Sequence, residues 1–252
     1  MGAKTALLGF ADGDIRPVLA RARRSDRAAA EDLIRRVHPG YAVEAYEDGT
    51  LDYTYPPDDV TYAAAFPGAD VVIDRRIAGD HPSALPEHLL KLGAGRRIVL
   101  HAMHSVVDWL GFAIWEDGKL VRSLSLSPGS GVLENIGEPL DFERPYWAGE
   151  HPVDPDPVMS DGEPYPLPFH PLEMGEDALR ALFGFIMEGR PEGTDLEPED
   201  VHMHGFRVTD PTGREQAERE AVYAEAIANM GEPRIFTLGP DGTMQETSLD
   251  DL

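Results

Sequence analysis

Leu110-Gly-Phe-Ala-Ile-Trp-Glu-Asp-Gly-Lys-Leu-Val-Arg-Ser-Leu-Ser-Leu126 decides the fold class. Two apolar segments, 110–114 and 120–126, flank Glu116-Asp-Gly-Lys119, whose Asp-Gly pair supplies the positive φ angles of a tight hairpin turn. On the second segment Leu120, Arg122, Leu124 and Leu126 alternate with Val121, Ser123, Ser125 and Ser127. One face is therefore apolar, and the serine face is polar or covers a cavity. Just upstream, Arg97-Ile-Val-Leu-His-Ala-Met-His104 reads as a strand with Ile98, Leu100 and Ala102 on one face and Val99, His101 and Met103 on the other. Apolar residues on both faces place it centrally in a sheet.

Working outward, Lys4–Phe10, Val60–Ala65, Ala69–Ile77 and Val201–Val208 read as further strands, and Tyr41–Tyr55 as a hairpin turning at Glu47-Asp48-Gly49. Ala30, Leu33, Ile34 and Val37 recur at helical spacing behind the capping residue Asp26, which predicts a helix over 27–38. Two more are expected, over 85–92 with Ser83 as cap, and over 175–188 ending at Gly189. Between Pro139 and Pro171 the proline density forbids regular structure, and Tyr146, Trp147, Tyr165 and Phe169 predict an ordered arm anchored across the core. The expected architecture is α+β: a mixed or mostly antiparallel sheet with packed helices, a Pro-rich wrapping arm and a C-terminal helix-hairpin extension. Residues 1–208 form the domain and 209–252 the extension.

Charge and composition exclude more than they identify. Against 22 Lys plus Arg stand 46 Asp plus Glu, a formal charge of -24 that repels nucleic-acid phosphates and anionic membranes. Cysteine is absent, which removes disulfides, thiolate metal sites and cysteine nucleophiles. With no secretory pattern at the start and no apolar run of roughly 18 residues, a cytoplasmic location is expected. Only three lysines occur (Lys4, Lys91 and Lys119), as in proteins of GC-rich genomes.

Chemistry near neutral pH points to the nine histidines. His202 and His204 stand two apart on a predicted strand, hence on one face, and would make two ligands of a divalent metal with His101, His170 or a carboxylate as the third. A candidate pocket beside the arm gathers His101, His104, Asp108, Trp147, His170 and His204. A Ser105-His-Asp108 triad has the right residue types, but Ser105 lacks the Gly-x-Ser-x-Gly elbow. Gly93-Ala-Gly95 and Gly129-Ser-Gly131 are too short to cradle phosphate.

With His101-Ala-Met-His-Ser-Val-Val-Asp-Trp109, Ile136-Gly-Glu-Pro-Leu140, Pro145-Tyr-Trp-Ala-Gly-Glu-His151, Pro166-Leu-Pro-Phe-His-Pro-Leu172 and His204-Gly-Phe206 in view, the chain resembles a family of uncharacterised actinobacterial proteins over about residues 1–208. That resemblance implies an intact domain and carries no activity. The expected function is that of a cytosolic binding or interaction protein using the histidine and aromatic pocket, its partner an unidentified protein or small molecule. The alternative is a histidine-dependent, metal-assisted hydrolase or lyase acting on a small molecule.

Overall fold

The computed structural model describes residues 2–21, 24–153, 165–229, 235–238 and 244–247. In chain order the first unit contains β1 (Lys4–Ala11), α1 (Arg16–Leu19), α2 (Arg27–Val37), β2 (Ala42–Ala45), β3 (Gly49–Thr50), β4 (Val60–Phe66), β5 (Ala69–Ile73) and α3 (Glu87–Leu92). It continues with β6 (Arg97–His104), β7 (Trp109–Glu116), β8 (Lys119–Ser127), β9 (Gly131–Ile136), α4 (Arg144–Trp147), α5 (Pro171–Phe183) and β10 (His202–Thr209). The strands form one ten-stranded sheet in the order β2-β10-β4-β5-β1-β6-β7-β8-β9, with β3 also paired to β10. Every pairing is antiparallel, which makes the fold α+β with an antiparallel rather than a mixed sheet.

Strand alternation divides the core in two. On one face Leu7, Val99, Met103, Phe112 and Leu124 pack with Leu179 and Phe183 of α5 and with Tyr146 and Phe169 of the arm. On the other, Leu8, Leu100, Trp115 and Phe206 pack with Leu33 and Ile34 of α2 and Leu89 of α3. The N-terminus of α2 is fixed as its sequence predicts, with the Asp26 carboxylate accepting the Ala29 N–H at 2.9 Å. The hairpin between β7 and β8 turns at Asp117 and Gly118, both at positive φ.

Four expectations need correction. Residues 42–50 do not fold into a hairpin on themselves; β2 and β3 pair in succession with β10. α5 ends at Gly184 instead of Gly189, because there the chain enters the left-handed region (φ 89°) and the Gly184 N–H closes on the Leu179 and Arg180 carbonyls. Ser83 does not cap α3; its backbone N–H and hydroxyl bond the Glu134 carboxylate. The strand expected over Ala69–Ile77 stops at Ile73, because the Asp74 carboxylate accepts the Arg76 N–H at 2.8 Å and caps a 3-10 turn over Arg75–Ile77, and β9 is a further strand that the sequence pattern does not predict.

The serine face of β8 is buried against polar partners: Ser123 donates to Glu134, and Ser125 accepts the Trp109 indole N–H at 3.0 Å. Arg122, on the apolar face, is fully buried and binds Glu143 through Nε at 2.8 Å and Nη2 at 2.5 Å. Its Nη1 donates to Asn135 Oδ1 at 2.6 Å and to the Ile136 carbonyl at 2.9 Å, so the pair clamps β9 and the arm to β8. Removing one member of such a pair leaves the other charge desolvated and alone, at a cost of about 3–5 kcal/mol.

The arm is anchored by its aromatics where it is described, and contrary to expectation it holds one helical turn, α4, with Pro145 in the first turn where its missing N–H costs nothing. Tyr146 is buried with its hydroxyl donating to Asp177 at 2.7 Å, and Trp147 meets Phe169 edge-on at 5.0 Å. Residues 154–164 of the same arm lie outside the described residues. The second unit, Asp210–Leu252, contains α6 (Arg214–Asn229) and an antiparallel ribbon of β11 (Ile235–Leu238) and β12 (Met244–Thr247). Asp210 accepts the Thr212 and Glu215 N–H groups at 2.8 and 3.1 Å at the start of α6.

Arg122→Met should lower unfolding free energy in urea by about 3–5 kcal/mol, by stranding Glu143, whereas the double change Arg122→Met with Glu143→Leu should recover most of that loss.

Candidate functional site

The six residues expected to share a pocket do not converge. His101 is completely buried on the α5 face of β6, where its Nε2–H donates to the Gly175 carbonyl at 2.9 Å and its Nδ1 accepts the Thr5 hydroxyl at 2.9 Å. Both ring nitrogens are satisfied, and burial pushes its pKa down to about 4. His170 caps α5, its Nδ1 accepting the Leu172 N–H at 3.3 Å while Nε2 faces Asp108 at 3.7 Å. Trp147 is an arm anchor whose indole N–H reaches Glu143 at 3.3 Å. His104 sits half-buried at the end of β6 with its Nδ1 accepting the Val106 N–H at 3.3 Å, so no Ser105-His-Asp108 relay forms.

His204 lies elsewhere. In the sheet, β10 is separated from β6 by β4, β5 and β1, four strand spacings or about 19 Å. It also projects from the opposite face, since it shares its side of β10 with Phe206 and Val208 of the α2 core. His101 and His204 therefore belong to different layers of the molecule, and His101 and His170 are no ligands for His202 and His204.

What His202 and His204 do have is a carboxylate. β2 pairs Ala45 with Phe206 and β3 pairs Gly49 with Met203, so three residues, Tyr46, Glu47 and Asp48, stand opposite two, His204 and Gly205. This is a one-residue bulge, a device that re-aims side chains. The Tyr46 N–H donates to the Gly205 carbonyl at 2.9 Å, and the Gly205 N–H donates to Asp48 Oδ1 at 3.2 Å. Only glycine fits at 205: a Cβ there would stand 2.0 Å from the Glu47 carbonyl oxygen. The bulge carries the Asp48 carboxylate over the two imidazoles.

Asp48 Oδ1 is held by the Gly205 N–H and the Arg27 guanidinium, which leaves Oδ2 facing His202 Nε2 at 3.2 Å and His204 Nδ1 at 3.4 Å. One ligand atom from each residue lies within 4.8 Å of the other two. His204 is 4% exposed, and its Nε2 donates to the Ser25 carbonyl at 2.9 Å. That bond puts the neutral ring's proton on Nε2 and leaves Nδ1 a bare lone pair, buried and without a hydrogen bond. A lone pair opposite a carboxylate oxygen is two acceptors face to face. Something positive belongs between them, either a second proton on the ring or a metal ion.

Two of the three residues have shifted titrations. Burial raises the Asp48 pKa, but the Gly205 N–H and Arg27 outweigh it and hold the carboxyl below its ordinary value. Burial, and then the neighbouring His204, push His202 below its ordinary value despite the opposing pull of Asp48. At neutral pH this arrangement gives an ionised oxygen ligand and a neutral imidazole. Zinc–nitrogen and zinc–oxygen bonds of about 2.0–2.2 Å imply ligand-to-ligand edges of about 3.3–3.6 Å in a tetrahedron. Of the two edges from Asp48, the one to His204 at 3.4 Å falls within that range and the one to His202 at 3.2 Å just below it.

A family model of unknown function, DUF6928, matches residues 5–206. The chain belongs to the DUF6928 family. The matched span of this DUF6928 chain contains Asp48, His202, His204 and Gly205. No curated protein and no solved structure matches it. Among the described residues, no helix is long and apolar enough to cross a membrane.

Asp48 is the functional candidate that sequence reasoning missed, having been assigned to a hairpin turn. A signal existed in Gly205: glycine inside a strand marks a bulge or the close approach of another backbone.

Gly205→Ala should force the Glu47 carbonyl away and destabilise the protein by about 1–3 kcal/mol in denaturant melts. His101 titrates with the opposite consequence for acid. Its folded pKa of about 4 lies below the unfolded value of about 6.5, so the unfolded chain binds more protons between them. Its contribution is complete above that window and falls by on the order of 3 kcal/mol as pH drops through it. Urea melts at pH 7 and pH 4.5 should show a smaller acid-induced loss in His101→Gln than in the unaltered chain.

Proposed function

We propose that this chain binds a divalent transition metal through Asp48, His202 and His204, with zinc the best fit. The buried, unbonded lone pair of His204 Nδ1 aimed at Asp48 Oδ2 is the observation that carries this reading. His204 is the anchoring ligand, because its Nε2–H bond to Ser25 fixes tautomer and ring orientation as outer partners of metal-bound histidines do. His202, whose Nδ1 has no hydrogen bond, is the weaker one.

Three protein ligands beside an exposed Asp48 leave a coordination position for water or substrate, the pattern of catalytic rather than structural zinc sites. The reading therefore extends to a metal-assisted hydrolase or lyase, in which the ion polarises a carbonyl or lowers the pKa of a bound water. The charge of -24 favours neutral or cationic small molecules over phosphorylated ones and over nucleic acid. The low lysine count and the absence of cysteine support an actinobacterial, cytoplasmic setting for it.

Elemental analysis of protein purified without chelator should find about one equivalent of transition metal. Added zinc at a hundredfold excess over its dissociation constant should stabilise the chelator-treated protein by about 2.7 kcal/mol. His204→Ala and Asp48→Asn should abolish both effects and His202→Ala should weaken them. Loading should fall in acid, because an imidazole binds a metal only in its neutral form. No stoichiometric metal and no zinc-induced stabilisation would mean that a second proton occupies His204, and the proposal would fall.

A further inference from the structure

The end of the sheet where β6 stops carries a second feature, separate from the metal-binding trio. A cleft of about 530 Å³ opens there, lined by Tyr55, Asp80, His104, Val107, Trp109 and Ser130 among others. Its mouth is apolar in an unusual way: Val107 is 59% exposed and the adjacent Val106 is 74% exposed. Large apolar side chains held in water at the rim of a concavity are the mark of a surface that another apolar body covers.

Two cations stand over Tyr55, one wall of the cleft, without themselves belonging to its lining. Lys4 pairs in register with His104 across β1 and β6, which puts both side chains on one side of the sheet. The Lys4 ammonium stands 5.6 Å and the Arg75 guanidinium 4.4 Å from the Tyr55 ring centroid, and the His104 ring meets Tyr55 edge-on at 5.6 Å. Arg75 is paired with Asp58 at 2.9 Å, but Lys4 has no carboxylate within 4.0 Å among the described residues.

His104 is set up to donate. Its Nδ1 accepts the Val106 N–H at 3.3 Å, so the neutral ring carries its proton on Nε2, and that N–H has no acceptor among the described residues. Burial, and then the charges of Lys4 and Arg75, press its pKa below the ordinary histidine value. An unpaired ammonium and an open imidazole N–H lie around one tyrosine, next to a cleft walled by a tryptophan and exposed valines.

We infer that this cleft binds a small carboxylate with a flat apolar body. The carboxylate is taken by the Lys4 ammonium and the His104 Nε2–H, while the ring system lies between Tyr55 and Trp109 under Val107. The site shares no residue with Asp48, His202 and His204, so its fate is independent of the metal proposal.

The probe is 2-naphthoate, with the isosteric neutral 2-naphthamide as control, titrated into the full chain while tryptophan fluorescence and backbone amide NMR shifts are followed. Saturable binding of naphthoate is expected, with shifts at residues 104–109 and with naphthamide at least roughly tenfold weaker, the size of a lost charged hydrogen bond. Checked for unchanged melting temperature, Lys4→Gln should weaken naphthoate by a comparable factor and leave naphthamide unaffected, whereas His104→Gln should weaken both, because the Nε2–H donates to an amide oxygen as well as to a carboxylate. Equal affinity for naphthoate and naphthamide would overturn the carboxylate assignment. Absence of saturable binding, or shifts confined to other surfaces, would overturn the site itself. Either variant unfolding would leave the wild-type comparison of acid and amide to decide.

Discussion

The missing side chain at Gly205 is the constraint on which the candidate metal site depends. Without a Cβ at that position the Glu47 carbonyl can approach β10, three residues can stand against two, and the Asp48 carboxylate is delivered to the histidines. The same glycine supplies the N–H that fixes Asp48 Oδ1, so the backbone that permits the bulge also orients its product. With Oδ1 engaged by Gly205 and Arg27, Oδ2 has one direction left to face, and that direction holds two imidazole nitrogens.

Several buried charged and polar groups are satisfied by named partners, in contrast to the His204 lone pair, which shares its lack of a hydrogen bond with Ser25 Oγ and the Tyr165 hydroxyl. Arg122 and Glu143 are fully desolvated yet bonded to each other and to backbone. Asp74, also buried, accepts from His38, Thr61 and the Arg76 N–H. His101 satisfies both ring nitrogens inside the core. A buried acceptor set against a carboxylate oxygen calls for a cation between them.

Much of this was legible in the sequence, and the remainder was hidden for identifiable reasons. Alternation in β6 to β8 and the Asp-Gly turn report local geometry, and the i, i+3, i+4, i+7 pattern behind Asp26 reports α2, because one element suffices to read them. Spacing alone put His202 and His204 on one face. Spacing within a strand says nothing about which face of the sheet it turns toward, or how many strands intervene, and the single pocket imagined for His101 and His204 failed on both counts. Asp48 escaped because a bulge is a property of two paired strands, and Glu47-Asp48-Gly49 has the composition of an ordinary turn. The role of Arg122 was hidden likewise, since its partner Glu143 lies in the proline-rich arm, 21 residues away.

The decisive measurement is an anomalous-difference map from crystals grown with zinc, with data collected at the zinc edge. One strong peak is expected about 2.0–2.2 Å from Asp48 Oδ2, His202 Nε2 and His204 Nδ1 together. A map with no peak there, and with His204 Nδ1 hydrogen-bonded to Asp48 instead, would contradict it.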